Sequence, residues 1–395
     1  MTWTCGRDRG RSPALVVPAD LAGPSGGTRY DERMITELAA SGLDVTAEPV
    51  PGAWPSPTGE DRAALRHALG RHDDVLVDGL IGSAAPQEIE QARARGARVG
   101  VLVHLPLPAE GGLDEPDRTR LAALERRALH AAGTVVATSG WAAAGLRERY
   151  GLAGVHAVAP GTDRAETATG STPTHLLALG SITPRKNPLG LLEALAGLQD
   201  RHWNLSLVGP RGSDEGYVRA VTARAKALQG RVRMPGSLEG EALEALWRTV
   251  DLLVLPSLAE TYGMVVTEAL AHGIPALVPA GTGAVEALHG SGERDGLPEA
   301  GAVVAGTGGE AWAEACGVGS TTQGCVTGGA VPPPSTGTGS AGGTPPRPSS
   351  GRCWGGEPPG ARRLAGAAPR RRPPGPGARR RAAAPARRPR RRADG

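Results

Sequence analysis

Short apolar runs that alternate with helical segments are the feature of this sequence that most restricts its fold. In the first half the runs lie at residues 14–19, 74–81, 98–107, 134–139 and 155–160. Between them lie segments such as residues 117–133, where apolar residues recur every three or four positions, as in a helix. Continuous apolar strands separated by helices are typical of a parallel sheet covered on both faces.

A polar stretch at residues 163–174 interrupts this alternation, which then starts again. The runs of the second half lie at residues 175–182, 205–210, 231–236, 252–257, 274–280 and 300–304. We therefore predict two doubly wound, Rossmann-like α/β domains facing each other across a cleft. They span residues 12–162 and 175–315, with a hinge between them and an N-terminal extension at residues 1–11. Ligands of such sheets bind beyond the carboxyl ends of the strands, so the cleft is the expected active site.

The last part of the chain, residues 316–395, has a different composition. It contains 15 arginines and only two acidic residues, whereas the whole chain carries a net charge of +4, so residues 1–315 are net acidic. A segment this rich in Gly, Pro and Arg, and this poor in large apolar side chains, cannot bury a core. We predict that residues 316–395 form a disordered basic tail.

The tail also has the character of a region translated out of frame. In the frame displaced by one base, apolar residues would stand at positions 316, 320 and 325, and again at 349, 350, 353 and 354. The last four have the spacing of one helix face. The alternative is a genuine Arg-rich tail, which would favour nucleic-acid binding. Because the tail has no interleaved aromatic residues and the body is acidic, we expect no nucleic-acid partner.

Two classes of protein are disfavoured by composition. The sequence has no run of about 18 apolar residues, so a membrane span is not expected. It contains four cysteines, too few for a disulfide framework in a chain of 395 residues, and this favours a reducing cytoplasm.

The most informative motif lies at residues 257–273, where a predicted strand leads into a predicted helix. Glu260 stands in the loop, and Glu268 lies eight residues later in the helix. Gly263 allows backbone amides to approach a ligand, and a helix N-terminus favours anions such as a diphosphate. A loop carboxylate can bind sugar hydroxyls, and the helical one can hold a ribose diol. Two unrelated surface glutamates are the alternative.

Residues 251–278, DLLVLPSLAETYGMVVTEALAHGIPALV, resemble the E-x7-E signature of the family 4 retaining glycosyltransferases, which have the GT-B fold. The resemblance continues at residues 177–195 and 205–210 and covers most of residues 12–315. It implies that a sugar passes, with retention at the anomeric carbon, from a nucleotide-diphospho-sugar to an acceptor hydroxyl, usually without a metal. The second domain would bind the donor, a UDP- or GDP-sugar, and the first the acceptor.

By this resemblance Glu260 is a catalytic residue against the donor sugar, and Glu268 binds the ribose. We assign Tyr262, Gly263 and Met264, in the same segment, to donor binding. No cofactor and no metal are expected. The acceptor is left open as a sugar, a lipid-linked molecule or a small molecule, with peripheral membrane contact as one option. A catalytically inactive member of the same fold is the alternative function.

The segment at residues 180–188 supplies positive charge. Lys186 is one of only two lysines in the chain, and after a strand end it can neutralise a departing diphosphate. The resembled family usually has an arginine directly after Gly180, where this sequence has Ser181. Arg185 is a candidate to replace that arginine in donor binding, and the alternative is that it points to solvent. The alternative for Lys186 is likewise an ordinary surface lysine.

Two further positions belong to the first domain. Gly26 and Gly27 follow the first predicted strand and precede a helix, which is the arrangement of an anion-binding loop, although Gly-Gly is often only a turn. His104 ends an apolar strand and would by itself be interpreted as a core residue. In the resembled family a histidine at this strand end reaches the donor sugar, so we include His104 among the catalytic candidates. We expect Trp141 and Tyr150, which flank a helix, to be core residues.

Overall fold

The computed structural model describes residues 12–19, 25–290, 300–306 and 308–319. The predicted N-terminal extension, and all of the predicted tail except residues 316–319, lie outside the described residues. Two parallel α/β sheets follow one another along the chain, as the alternation of apolar runs predicted.

The first sheet has the strand order β2-β1-β3-β4-β5-β6, and every neighbouring pair is parallel. Its elements are β1 (Ala14–Pro18), α1 (Gly26–Ala40), β2 (Thr46–Val50), α2 (Gly59–Gly70), β3 (Asp74–Asp78), α3 (Gly79–Gly82), α4 (Pro86–Ala94), β4 (Arg98–Val103), a 3-10 turn (Leu107–Ala109), α5 (Glu115–Ala131), β5 (Thr134–Ala137), α6 (Gly140–Tyr150) and β6 (His156–Ala157).

The second sheet has the order β12-β11-β10-β7-β8-β9 and is also parallel throughout. Its elements are β7 (Thr174–Leu179), α7 (Pro188–Ala196), β8 (Trp203–Val208), α8 (Glu215–Ala227), β9 (Val232–Gly236), α9 (Gly240–Trp247), β10 (Leu252–Val254), α10 (Met264–Ala271), β11 (Ala276–Pro279), α11 (Ala284–His289), β12 (Gly301–Val304) and α12 (Gly309–Gly319).

Two strand assignments differ from the sequence interpretation. The apolar run at residues 74–81 is a strand only as far as Asp78, whose carboxylate accepts a hydrogen bond from the amide of Leu80 and starts α3. The edge strand β2 was not predicted, because its residues TAEPV contain a glutamate and a proline and show no continuous apolar run.

Both faces of each sheet are covered, which explains why the strands are apolar throughout. Central residues such as Val16 and Val101 in the first domain, and Leu205 and Val254 in the second, are fully buried. Tyr150 is buried as expected. The expectation for Trp141 was wrong: it is 45% exposed, because the residue lies in the first turn of α6.

Residues 158–173 form no helix or strand and connect the two sheets. The amide of Ala168 donates to the carbonyl of His272 at 2.8 Å, and that of Thr169 donates to the carbonyl of Arg248 at 2.9 Å. This part of the predicted hinge is therefore attached to the second domain. Whether the segment bends during function stays a prediction.

The last described helix, α12, runs past the predicted domain end at residue 315 to Gly319. Trp312 and Cys316 are buried and pack against the side of the second sheet that carries α7. Cys316 is therefore a core residue of the second domain. Within the described ranges, no helix is both long and apolar enough to cross a membrane.

Candidate active site

The second sheet reverses its strand order between β7 and β10, and two candidate residues follow these two strands. Lys186 lies in the segment after β7, and Glu260 lies in the loop after β10. The Lys186 Nζ atom is 2.5 Å from Glu260 Oε1. Neighbouring strands whose connections leave in opposite directions open a crevice at their carboxyl ends, so the pair lies where such sheets bind ligands.

Local backbone features fix this pair. Asn187 adopts a left-handed conformation (φ 53°), caps α7 through the amide of Gly190, and donates from Nδ2 to the carbonyl of Pro256 at 3.3 Å. A Cβ atom at position 180 would lie 3.3 Å from the Lys186 side chain, so the glycine lets that side chain lie close against the strand end. The loop after β7 is thus tied directly to the loop after β10.

Glu260 remains ionised although its side chain is buried. Burial favours the neutral acid, but the positive charges of Lys186 and Arg185 outweigh it, and the pKa of Glu260 is lowered from its ordinary value. Arg185 Nη1 lies 3.9 Å from Glu260 and donates to the carbonyl of Ala259 at 3.2 Å, while its Nε donates to Glu110 of the first domain at 3.2 Å. Arg185 therefore points towards the Glu260 loop and not to open solvent.

The segment after Glu260 turns sharply into α10. Gly263 has φ +85°, a conformation that favours glycine, and it stands at the N-cap of the helix. Glu268, in the middle of α10, points towards the first domain, where Arg29 Nη1 lies 2.9 Å from its carboxylate. Burial raises the pKa of Glu268, and the charge of Arg29 partly offsets this effect.

The first domain contributes the other side of the cleft. A Cβ atom at Gly27 would lie 3.1 Å from the ring of His104, and one at Gly26 would lie 3.8 Å from the sulfur of Met264 in the second domain. The glycine pair is the first turn of α1, with Ser25 as the N-cap, and not a loop before the helix as predicted. It lies between the histidine and the start of α10. Thr261, next to Glu260, donates its hydroxyl hydrogen to the carbonyl oxygen of His104 at 2.6 Å.

The structure thus brings most of the predicted site residues to one cleft. The exception is Tyr262, whose side chain packs in the core of the second domain and is 9% exposed. Burial, and to a smaller extent the charge of Glu286, raises its pKa. Its role in donor binding stays a prediction.

Sequence reasoning assigned no role to several residues of this cleft, namely Arg29, Asp31, Asp78, Thr261 and Glu286. Asp78 ends β3, and Asp31 lies in the second turn of α1; both carboxylates approach His104 Nε2. The one available signal was the acidic residue that ends the apolar run of β3. Glu286, in α11, accepts hydrogen bonds from the amides of Gly140 and Trp141 at 3.0 Å each.

Within the part of the chain that the structure describes, one group of three side chains has the spacing of metal ligands. Asp31, Asp78 and His104 each offer one ligand atom, and these atoms lie within 4.8 Å of one another. A proton shared between the ring nitrogen and the carboxylates satisfies the same atoms, and the 2.9 Å distance from His104 Nε2 to Asp31 Oδ1 is that of a hydrogen bond.

Comparison with known proteins places this cleft in a family context. Residues 161–315 match the family model described as Glycosyl transferases group 1. The D-inositol 3-phosphate glycosyltransferase 1 of Catenulispora acidiphila is 29% identical over 265 residues, which are 58% of this chain and 61% of that protein. The D-inositol 3-phosphate glycosyltransferase of Corynebacterium glutamicum is 29% identical over 41% of this chain and 40% of that protein. The chain thus spans less than two thirds of the length of these curated relatives.

Solved structures share the fold at low sequence identity. Sucrose-phosphate synthase from Thermosynechococcus elongatus superposes with a TM-score of 0.63 at 18% identity, over 78% of this chain and 89% of that one. Anabaena HepE in complex with UDP and glucose superposes with a TM-score of 0.57 at 16% identity and the same coverage. Two Rossmann-like domains with a cleft between them define the GT-B class of fold. Within that class of fold, the glycosyltransferase group 1 match covers residues 161–315, which include the whole second sheet.

Proposed function

We propose that this protein is a glycosyltransferase that transfers a sugar from a nucleotide-diphospho-sugar, a UDP- or GDP-sugar, to an acceptor hydroxyl with retention of anomeric configuration. The observation that carries the proposal is the Lys186–Glu260 ion pair at the switch point of the second sheet. A fixed ammonium and a fixed carboxylate in one crevice provide the two recognition elements that a sugar diphosphate requires. The E-x7-E resemblance supports retention.

In this proposal the bond between the anomeric carbon and the donor diphosphate breaks while the acceptor oxygen bonds to the same carbon on the face that the diphosphate leaves, which retains the configuration. The acceptor proton passes to the departing diphosphate. Negative charge grows on the diphosphate oxygens, and Lys186 and Arg185 stabilise it where it develops. Glu260 accepts hydrogen bonds from the sugar hydroxyls, and Glu268 accepts them from the ribose.

The acceptor would bind mainly to the first domain. Several relatives are named D-inositol 3-phosphate glycosyltransferases, so a polyol or a sugar hydroxyl is the acceptor class that the comparisons support. Anabaena HepE is described in complex with UDP-glucose as well, which supports a UDP-sugar donor. A cytoplasmic location, where nucleotide sugars are available, is part of the same proposal.

Calorimetric titration of the purified chain with UDP and GDP tests the donor half of this function. We expect one of the two to bind at one site per chain, and Glu268→Gln to weaken that binding about tenfold, because a charged hydrogen-bond acceptor for the ribose is lost. Glu193→Gln, an exposed glutamate of α7, is the matched control and should bind like the parent chain. Binding of neither nucleotide, or equal affinity in both variants, would refute the donor site.

We also propose that the reading frame changes near codon 315. The family match ends at residue 315, where the composition changes. Sequencing the gene across codons 300–330 tests this: a missing or extra base supports the proposal, and an uninterrupted frame refutes it.

A further inference from the structure

Three buried ionisable side chains of the first domain meet beside Gly27, in the first turn of α1. They come from different elements: Asp31 from α1, Asp78 from the end of β3, and His104 from the segment after β4. His104 Nε2 lies 2.9 Å from Asp31 Oδ1 and 3.4 Å from Asp78 Oδ2. The carboxylate side chains are only 4% and 7% exposed, so water cannot screen their charges from each other.

Two buried carboxylates this close repel each other unless a positive charge lies between them. Among the ion pairs of the described residues, His104 is the cation recorded for both Asp31 and Asp78. Tyr30 also faces the ring, edge-on at 5.3 Å between ring centroids. Burial, with a smaller effect from Asp31, raises the pKa of Tyr30 to about 12, so its phenol stays neutral. The histidine therefore provides the compensating charge.

We propose that Asp31 and Asp78 are positioning residues that hold His104 as a protonated imidazolium, with its Nε2–H shared between the two carboxylates. The ring then presents Nδ1–H as a permanent hydrogen-bond donor to an oxygen of the sugar nucleotide. This inference rests on the proposed function for the identity of the substrate, and it adds two residues and a protonation state to the site.

Electrostatics agree with this geometry. Burial by itself lowers the pKa of His104, but the hydrogen bonds and charges of Asp31 and Asp78 outweigh it and raise the pKa to about 10. Burial raises the pKa of Asp31 to about 6 against the opposing effect of His104, so Asp31 is mostly ionised above that pH. A neutral histidine would have one N–H, which the carboxylates would occupy. The protonated ring has two, and one is left for substrate.

The test measures the ring directly. The imidazole resonances of the 15N-labelled chain are followed from pH 5 to 11, with His104 assigned through its loss in His104→Gln. We expect the parent ring to stay protonated up to about pH 9. In Asp78→Asn and in Asp31→Asn we expect the midpoint to fall by more than one pH unit, and Asp78→Glu should recover part of that fall. Asp117→Asn, an exposed residue of α5, is the matched control and should leave the midpoint unchanged.

Steady-state kinetics with the donor provide the second readout. In Asp78→Asn, kcat/KM should match that of the parent enzyme at pH values below the variant's His104 midpoint. Above that midpoint it should fall tenfold per pH unit, and loss of structure alone would not produce this pH profile. The proposal would be overturned if the parent His104 ring titrated near pH 6.5, or if neither Asn substitution changed the midpoint of that titration. Binding of Zn²⁺ or Mn²⁺ at one ion per chain that both Asn variants abolish would also overturn it, because a metal would then be the positive charge. The ring titration needs no turnover, so failure of the proposed function would appear separately, as absence of nucleotide binding.

Discussion

Arg29 of the first domain and Glu268 of the second form an ion pair across the cleft, with Nη1 2.9 Å from Oε1. The arginine is half exposed, whereas the glutamate is 16% exposed. If Glu268 binds the donor ribose, as we propose, the guanidinium lies at the edge of the nucleotide site. Arg29 then acts on donor binding through the ionisation of Glu268.

Replacing Arg29 with alanine should make nucleotide binding more sensitive to acid. Burial raises the pKa of Glu268 and Arg29 lowers it, so the variant raises that pKa further and protonates the carboxylate at a higher pH. We expect the affinity for UDP or GDP at pH 5.5 to fall by about threefold to fivefold, the scale of a half-exposed ion pair, and to be unchanged at pH 8. Calorimetry at both pH values measures this. Arg33→Ala, one turn further along α1 and paired with Asp163, is the control. A loss of affinity of the same size at both pH values would contradict this account.

Lys186 should be needed for turnover. Its ammonium group lies 2.5 Å from Glu260 and is the positive charge nearest that carboxylate. Lys186→Ala should lower kcat by about 100-fold, because stabilisation of the leaving diphosphate is lost. Lys226 serves as the control, because it is the one other lysine of the sequence and is exposed on α8. Initial rates for Lys186→Ala and Lys226→Ala decide the matter, and equal rates would exclude Lys186 from the reaction.

Arg185 should replace the arginine that the resembled family carries directly after Gly180. The structure places Arg185 3.9 Å from Glu260, so its charge reaches the carboxylate from a different backbone position. Arg185→Ala should reduce kcat about tenfold, which is the loss of one charged hydrogen bond. The double variant Ser181→Arg with Arg185→Ala should recover most of that loss in the same rate assay. No recovery would mean that Arg185 acts through its contact with Glu110.

The parts of the site that could be predicted from the sequence are those on local motifs. Glu260, Gly263 and Glu268 lie within one strand–loop–helix segment, where spacing alone determines which side chains share the crevice. Lys186 was predicted on a related ground, since it lies in the short segment between a strand and the next helix, and such segments line the ligand edge of the sheet. The fold followed from the apolar runs, because a parallel sheet buried on both faces leaves a continuous hydrophobic pattern.

The parts that could not be predicted depend on contacts between segments far apart in the chain. Nothing local to Asp31 shows that it lies against His104, because the contact depends on how α1 packs at the end of β4. Glu286 looks like an ordinary helical glutamate until α11 is placed against the start of α6. Contacts of this kind, within a domain or between domains, are decided by how distant segments pack, and no periodicity in a single sequence reports that packing.

Glu286 should hold the two domains in their observed arrangement. Its carboxylate accepts from the amides of Gly140 and Trp141, the free donors in the first turn of α6, and Ser139 donates to the carbonyl of Thr261 beside it at 2.5 Å. Glu286→Ala removes two charge-assisted bonds, about 1–3 kcal/mol. We expect a larger radius of gyration in X-ray scattering and more donor hydrolysis relative to transfer, because an open cleft admits water. Glu148→Ala, exposed on α6, should show neither change. An unchanged radius of gyration in Glu286→Ala would mean that other contacts hold the domains together.

The imidazolium of His104 should also make folding stability depend on pH in a defined direction. The pKa of the ring is raised from 6.5 to about 10 in the folded protein, so the folded state binds its proton more tightly than the unfolded chain does. The stabilisation is therefore complete below about pH 6.5 and is lost as the pH rises through about 10. His104→Gln leaves two buried carboxylates without their cation and should lower the free energy of unfolding by about 3 kcal/mol near pH 6. The difference from the parent chain should shrink steadily towards pH 10. Urea unfolding at pH 6, 8 and 10 measures it, with the exposed His156→Gln as control. A deficit that stayed constant across this range would show that the loss comes from packing and not from the proton.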